Sequence, residues 1–278
     1  MVPPMKIHLV TVVGSNVELL PHMLAHYAAF GFDSLVVNAH LESHDDPLFM
    51  KIQAIGREFG AEVCSVFIGK WLQSVNPFLY AHTQRQKPGD WFVLADVDEF
   101  QIYPEGIRPF FARMDRRGFD FVEGCMIDRV ARDGGFPEIK SDEAIWKQFP
   151  LAGLVTYPIL KGNILKVVAA RGFVKLAPGQ HSTLGGNRPP RDEVYIPVHH
   201  FKWWKGVVER LRKRVELYKL YKEPIWLESQ RFLDYYERHN GKIDVLDPSF
   251  FLAESTTDYP LWGVVKNRVL SLARSQGL

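Results

Sequence analysis

Short apolar runs alternate with longer amphipathic segments through the first hundred residues, and this alternation constrains the fold more than any other feature. The apolar runs are rich in Val, Ile and Leu without a polar–apolar alternation, which is typical of strands buried on both faces of a sheet. They predict strands at 7–13, 34–37, 62–67 and 91–95. The segments between them predict helices at 16–30, 47–59 and 75–86. Together these elements predict an α/β domain with a mostly parallel sheet and helices on both faces.

The pattern is less regular after residue 100. A long polar loop is expected at 128–150, and a second loop at 180–191. The remaining elements are a helix at 107–117, strands at 119–127, within 155–174 and at 194–198, and helices at 204–221, 224–239 and the C-terminus. We therefore expect a catalytic core at 1–200 and a helical extension at 201–278 that packs on it.

Composition bounds the class of protein. The 278 residues are 46% hydrophobic and carry a net charge of +2, so the chain can bury a sizeable core and gives no indication of a nucleic acid partner. Cys64 and Cys125 lie in apolar strand-like runs, which predicts that both are buried and reduced. The apolar stretch at 7–14 is too short for a membrane span and lacks a signal-peptide cleavage pattern, so a cytoplasmic location is expected.

Two carboxylates follow the fourth predicted strand. Asp96 and Asp98 stand two residues apart at its carboxyl end, the edge at which parallel sheets bind ligands. Carboxylate oxygens suit Mn²⁺ or Mg²⁺, and such an ion could bridge the diphosphate of a nucleotide sugar and assist transfer of the sugar to an acceptor. We expect Asp98 to be the main metal ligand, with Asp96 on the metal or on a ribose. The alternative is a polar strand end whose aspartates cap a turn.

Histidines and lysines later in the chain could complete such a site. His199 and His200 follow a strand, and a neutral ring of either could bind the metal. If that strand alternates, the two rings face opposite sides and only one reaches the ion. His181 lies in a Gly-rich stretch and could contact phosphate or acceptor, or be an ordinary loop histidine. Lys161 and Lys166 could meet a diphosphate, although an exposed lysine is the commoner explanation.

A reaction that inverts a sugar carbon needs a base to deprotonate the acceptor hydroxyl. Candidate carboxylates at or after the end of the fifth strand are Asp128, Asp133, Asp142 and Glu143. Asp128 is the best placed, because it directly follows the apolar run. For each of them the alternative is a solvated loop acid.

The segment from Lys205 to Lys222 is a basic amphipathic helix in this interpretation. Its apolar side indicates packing on a core, with the basic face in solvent. Contact with an anionic lipid, or with a lipid-linked acceptor, is the other possibility, and Trp262 with the basic C-terminal segment fits that peripheral membrane contact.

Three segments resemble a known family. The first combines Asn16-Val17-Glu18, Leu20-Pro21, His26-Tyr27 and Gly31-Phe32-Asp33; the others are residues 91–100 and 199–203. These segments are similar to the opening strand and helix, the metal motif and the late histidine–aromatic element of bacterial family-2-like glycosyltransferases, which have the GT-A fold. Here Val17 separates an Asn-Glu pair that is contiguous in many relatives, and 38–43 lacks their Ser and Asp.

The resemblance implies a GT-A-like fold and a division of labour. The N-terminal half would bind a nucleotide-sugar donor, UDP- or GDP-linked, and the C-terminal half a glycan or lipid-linked acceptor. It implies that Asp96 and Asp98 handle the metal and the diphosphate, and that Glu18 lies near the nucleotide.

Other functions share parts of this pattern. Aspartate-nucleophile phosphohydrolases also place Asp-x-Asp after a strand, but their motif usually ends the first strand and has Thr or Val where Phe100 stands here. A dinucleotide-binding oxidoreductase needs three glycines where the stretch at 13–16 has one. A non-catalytic carbohydrate-binding protein on the same fold is the remaining alternative.

Overall fold

The computed structural model describes residues 5–275 and divides the chain into two compact units. The first comprises Met1–Cys125 and Leu165–Val198, and the second comprises Met126–Ile164 and His199–Leu278. This division differs from the expected boundary at residue 200, because the stretch Met126–Ile164 groups with the C-terminal residues. The first four residues of the N-terminal segment and the last three of the expected extension lie outside the described residues.

The strands and helices are as follows. The strands are β1 Ile7–Val13, β2 Ser34–Leu41, β3 Glu62–Ile68, β4 Trp91–Leu94, β5 Glu99–Gln101, β6 Phe121–Val130, β7 Leu151–Gly153, β8 Leu165–Arg171, β9 Ile196–His200 and β10 Ala253–Glu254. The helices are α1 Leu20–Ala28, α2 Leu48–Glu58, α3 Val75–Gln84, α4 Ile107–Arg116, α5 Ile145–Gln148, α6 Thr156–Leu160, α7 Val207–Leu220, α8 Trp226–Arg238 and α9 Trp262–Ser275.

The first unit contains a mostly parallel sheet. Strands β3, β2, β1 and β4 lie side by side in that order and are parallel. Strand β8 runs antiparallel to β4 and also pairs antiparallel with Phe121–Cys125 of β6. Every residue of β1 is buried, as its run of mostly apolar residues predicts. The expected α/β class with a mostly parallel sheet is therefore confirmed.

Helices cover both faces of this sheet. Phe92 of β4 belongs to the apolar cluster that α3 forms with the sheet. Its neighbour Trp91 packs against Phe111 of α4, with ring centroids 4.9 Å apart. Successive residues of a strand point to opposite faces, so α3 and α4 lie on opposite sides of β4.

The second unit is built around a short antiparallel ladder and a helical core. Residues Asp128–Val130 of β6 pair with β7, and β7 pairs with β10. Trp203 packs against Phe232 of α8 with ring centroids 4.7 Å apart, inside a buried cluster that also includes residues of α7. None of the helices within residues 5–275 combines the length and apolar character needed to cross a bilayer.

Several local expectations are wrong. The expected polar loop at 128–150 begins three residues too early, because β6 continues through Asp128 and Arg129 to Val130 with every residue buried. The first part of the expected strand region at 155–174 is helix α6. Cys64 is exposed and Cys125 is buried, since β3 leaves the face carrying Glu62, Cys64 and Val66 uncovered.

Candidate functional site

A tight turn follows β4 and carries the Asp-x-Asp residues. The carbonyl of Leu94 ends the strand by accepting hydrogen bonds from Gln101 Nε2 at 2.9 Å and Gln180 Nε2 at 3.2 Å. The Asp96 carbonyl then accepts from the Glu99 amide at 2.8 Å, and the Asp96 amide donates to Glu99 Oε2 at 3.2 Å. These bonds fix the turn Asp96–Glu99 at the carboxyl end of a parallel strand.

The Asp96 carboxylate is held by three donors from other elements. Asn76 Nδ2 and the Tyr80 hydroxyl each donate to Oδ1 at 2.7 Å. They lie four residues apart on α3, so both reach the same group from one helix face. Lys166 Nζ donates to Oδ2 at 2.9 Å. Burial and the nearby Asp96 charge raise the pKa of Tyr80 well above its usual value, so its hydroxyl stays protonated as a donor.

Lys166 is the buried cation of this turn. It comes from β8, is 4% exposed, and pairs with Glu99 Oε1 at 2.8 Å as well as with Asp96. Burial alone would lower the pKa of Lys166, but the charges of Asp96 and Glu99 outweigh it and raise that pKa above its ordinary value. The lysine therefore balances one of the two carboxylates permanently.

Asp98 lies in the same turn and its residue is half-buried. Within residues 5–275, no group of three or more His, Cys, Asp or Glu is arranged to hold a metal ion. Mg²⁺ and similar ions are commonly held by one or two carboxylates with substrate phosphates as the other ligands. The oxygen donors of this turn fit an ion that binds in that way together with a diphosphate.

His181 and Glu18 occupy different positions in the first unit. His181 Nδ1 lies 2.5 Å from the carbonyl of Leu165, the residue before Lys166, which brings this loop to the edge of the turn. Glu18 is on the surface, 3.4 Å from Lys51 Nζ. The Asn16 side chain precedes the helical segment without capping it, and its Oδ1 accepts from the Gly14 amide at 3.3 Å.

Asp128 lies inside β6 of the second unit and is 1% exposed. Its carboxylate accepts from the amides of Val155 and Thr156, at 2.8 Å and 2.6 Å, and from the Thr156 hydroxyl at 2.6 Å. Trp203 Nε1 donates to it at 3.0 Å. Burial alone would raise the pKa of Asp128, but the bonds from His200 and Thr156 lower it overall. A carboxylate held this firmly as an anion is a weak base, and its catalytic role stays a prediction.

The adjacent histidines of β9 have different partners, as strand alternation predicts. His200 Nδ1 lies 3.4 Å from Asp128 Oδ1. His199 Nε2 lies 3.1 Å from the carbonyl of Thr257, and its ring meets Trp146 edge-on with centroids 5.1 Å apart. Both belong to the second unit. Binding of a metal by either stays a prediction.

The structure adds residues that the sequence did not single out. Asn76, Tyr80 and Glu99 surround Asp96, and only the i, i+4 spacing on α3 hinted at the first two. Asn38 is fully buried on β2, and neither atom of its amide has a hydrogen-bond partner among the described residues. Ser65 is its neighbour on β3, and the Ser65 hydroxyl is likewise unbonded there. Lys161, by contrast, is exposed at the end of α6.

No protein-family model and no curated protein matches the chain. Among solved structures, it is similar to S. aureus TarS 1–349, with 14% identity over 88% of this chain and 76% of that one and a TM-score of 0.39. The same fragment in complex with UDP is 12% identical over 88% of this chain and 77% of that one, with a TM-score of 0.39. A putative glucose-1-phosphate thymidylyltransferase from Bacillus anthracis, in complex with a sucrose, is 10% identical over 96% of this chain and 95% of that one, with a TM-score of 0.32. Similarities of this size identify no activity for the chain.

Proposed function

We propose that this chain is a GT-A-like glycosyltransferase that moves a sugar from a nucleoside diphosphate to an acceptor hydroxyl, using Mn²⁺ or Mg²⁺ at Asp98. The observation that carries the proposal is the turn after β4. It places two half-buried acidic residues, Asp96 and Asp98, at the carboxyl end of a parallel strand. The resemblance of residues 91–100 to the family's metal motif supports the same reading.

The contacts of Asp96 support a division of labour within the motif. A carboxylate offers about four lone-pair sites, and Asp96 uses three of them on Asn76, Tyr80 and Lys166. An ammonium group bound to Asp96 Oδ2 also competes with any cation. We therefore assign the metal to Asp98, and assign Asp96 to ordering the turn and to a ribose hydroxyl. The metal would neutralise the charge that develops on the departing nucleotide.

The orphaned amide of Asn38 is our candidate for contact with the nucleobase. An amide offers one donor group beside one acceptor, which complements the N–H and carbonyl edge that uracil and guanine share. A buried amide without a partner costs free energy, so a ligand that satisfied both atoms would recover it. This assignment is compatible with a UDP- or GDP-linked donor.

His200 is a better candidate than His199 for binding a metal ion. Its Nδ1 lies 3.4 Å from Asp128 Oδ1, and a carboxylate on that side favours the tautomer that keeps the lone pair on Nε2. Histidines that bind metals commonly have their other ring nitrogen oriented by a carboxylate in this way. The firm anchoring of Asp128 supports this orienting role better than it supports the role of acceptor base.

A product assay tests the proposal against its alternatives. The protein is incubated with Mn²⁺, a broad panel of glycan acceptors and a panel of UDP-, GDP-, CMP- and dTDP-linked sugars, and separately with generic phosphoesters. Release of a nucleoside diphosphate from one donor, in wild type but not in Asp98→Asn, is expected. Release of inorganic phosphate from phosphoesters would instead indicate a phosphohydrolase. Donor binding without turnover, across a broad panel of glycan acceptors, would indicate a binding protein.

A further inference from the structure

The turn between α7 and α8 exposes large apolar side chains in the second unit. Leu220 is 76% exposed, Tyr221 50% and Leu227 40%. Scattered exposed leucines are ordinary on protein surfaces, but these three lie within eight consecutive residues. We call residues 219–227 the α7–α8 tip.

Backbone geometry makes this segment a tight reversal. Lys222 has a left-handed φ of 56°, and the Glu223 amide donates to the Tyr218 carbonyl at 2.8 Å, which closes the end of α7. Lys219 Nζ lies 4.4 Å from the centre of the Trp226 ring, so the start of α8 is beside the end of α7. The exposed apolar side chains therefore sit on a convex turn rather than in a groove.

The tip belongs to the most basic segment of the chain. Residues 205–223 contain seven Lys or Arg and three Glu, a net charge of +4, while the whole chain carries +2. The remaining residues therefore have a net negative charge. Several cations of this segment are exposed, among them Arg212, Lys213, Lys219 and Lys222. Within residues 219–227, Glu223 is the one acidic residue.

We propose that the α7–α8 tip docks on an anionic lipid bilayer, with Leu220, Tyr221 and Leu227 in the interfacial region and the lysines at the headgroups. Apolar side chains flanked by cations are the composition that binds anionic membrane surfaces. A convex turn suits a fluid surface, which deforms around side chains, whereas a folded protein partner would need a matching pocket. The proposal is independent of the nucleotide and the metal, so it stands or fails separately from the proposed function.

Sedimentation with vesicles tests this surface in the full-length protein. One vesicle type contains phosphatidylcholine alone, and the other mixes phosphatidylcholine with phosphatidylglycerol. Binding is expected to the mixed vesicles, weakening as salt rises. The double variants Leu220→Ser with Leu227→Ser, and Lys219→Glu with Lys222→Glu, should each reduce the bound fraction at limiting lipid by about tenfold.

Matched controls separate this surface from general stickiness. Leu246 is 87% exposed in the same unit, and Leu246→Ser should bind like wild type, as should Lys175→Glu on an exposed loop. All these positions are exposed, so unchanged melting temperatures are expected. Absence of binding to the mixed vesicles, or equal losses in the controls, would overturn the proposal. Binding to soluble polyglutamate as strong as to vesicles, and insensitive to the leucine changes, would also overturn it in favour of an acidic protein partner.

Discussion

Lys166 Nζ lies 2.9 Å from Asp96 Oδ2, and the same atom lies 2.8 Å from Glu99 Oε1. A single buried ammonium thus holds the first and last residues of the turn that follows β4. A buried charge network of this kind contributes little net stability as a whole, but removing one member leaves an uncompensated charge. The turn that presents Asp98 therefore depends on a residue from β8, seventy positions away from Asp96 in sequence.

Lys166→Met should strongly destabilise the protein. The buried Glu99 and the half-buried Asp96 would lose their cation, so the free energy of unfolding should fall by about 3–5 kcal/mol. Urea unfolding measures this loss. The double variant Lys166→Met with Glu99→Gln should recover part of it, because only one carboxylate then lacks its partner. An unfolding free energy for Lys166→Met within experimental error of wild type would contradict the ion-pair account.

His26 should make stability depend on pH in the mildly acidic range. Burial lowers its pKa from 6.5 to about 4, despite the Gln101 carbonyl that its Nε2 contacts at 3.0 Å. Between these values the unfolded chain binds a proton that the folded chain does not, so stability rises with pH across the window. His26 alone should account for up to about 3 kcal/mol between pH 4 and 7.

His26→Gln isolates that contribution. Glutamine can still donate to the Gln101 carbonyl but does not titrate, so the variant should lose less stability than wild type as pH falls from 7 to 4. Urea unfolding at a series of pH values measures both slopes. Parallel slopes for the two proteins would show that His26 is not the residue responsible.

Asn38→Leu should separate stability from nucleotide binding. Replacing a buried, unbonded amide by an apolar side chain of similar size should leave stability unchanged or raise it by about 1 kcal/mol. The same change should weaken nucleotide binding if Asn38 contacts the base, and thermal unfolding with and without nucleotide measures both effects. Lower stability combined with undiminished nucleotide binding would make Asn38 a structural residue instead.

Asp128→Asn should lower the free energy of unfolding. The substitution removes the negative charge that His200 and Thr156 stabilise. It also replaces one acceptor oxygen with an NH₂ group, which can only donate. A loss of about 1–3 kcal/mol is expected, measured by urea unfolding. An unchanged unfolding free energy accompanied by loss of turnover would favour the acceptor-base role instead.

The parallel part of the fold could be predicted because its signal is local. Each parallel strand is a run of mostly apolar residues, and the boundaries of β1, β3 and β4 differ from expectation by at most one residue. The extension of β6 was missed because Asp128 and Arg129 have the composition of a loop. They are buried only because distant groups bond them, such as the carbonyls of Phe149 and Ser255 that accept from Arg129.

The candidate site likewise contains residues that the sequence could identify and residues that it could not. Asp96 and Asp98 were visible because they interrupt an apolar run at the end of a strand. Their surroundings were not, since Asn76, Tyr80 and Lys166 come from α3 and β8 and meet only in the folded chain. Helix α6 was predicted as strand because β-branched residues such as Thr156 and Ile159 favour strands locally. The Thr156 amide at its first residue instead donates to the Asp128 carboxylate.

The most direct test of the central claim is thermal unfolding with nucleoside diphosphates and Mn²⁺, comparing wild type, Asp98→Asn and the exposed loop variant Asp142→Asn. One nucleotide should stabilise wild type and Asp142→Asn only when Mn²⁺ is present, by about 2.7 kcal/mol at a hundred times its Kd. Asp98→Asn should fold normally and lose the metal-dependent part of that shift. An equal metal-dependent shift in Asp98→Asn, or no shift in wild type with any nucleotide, would contradict the assignment of this turn as a metal–nucleotide site.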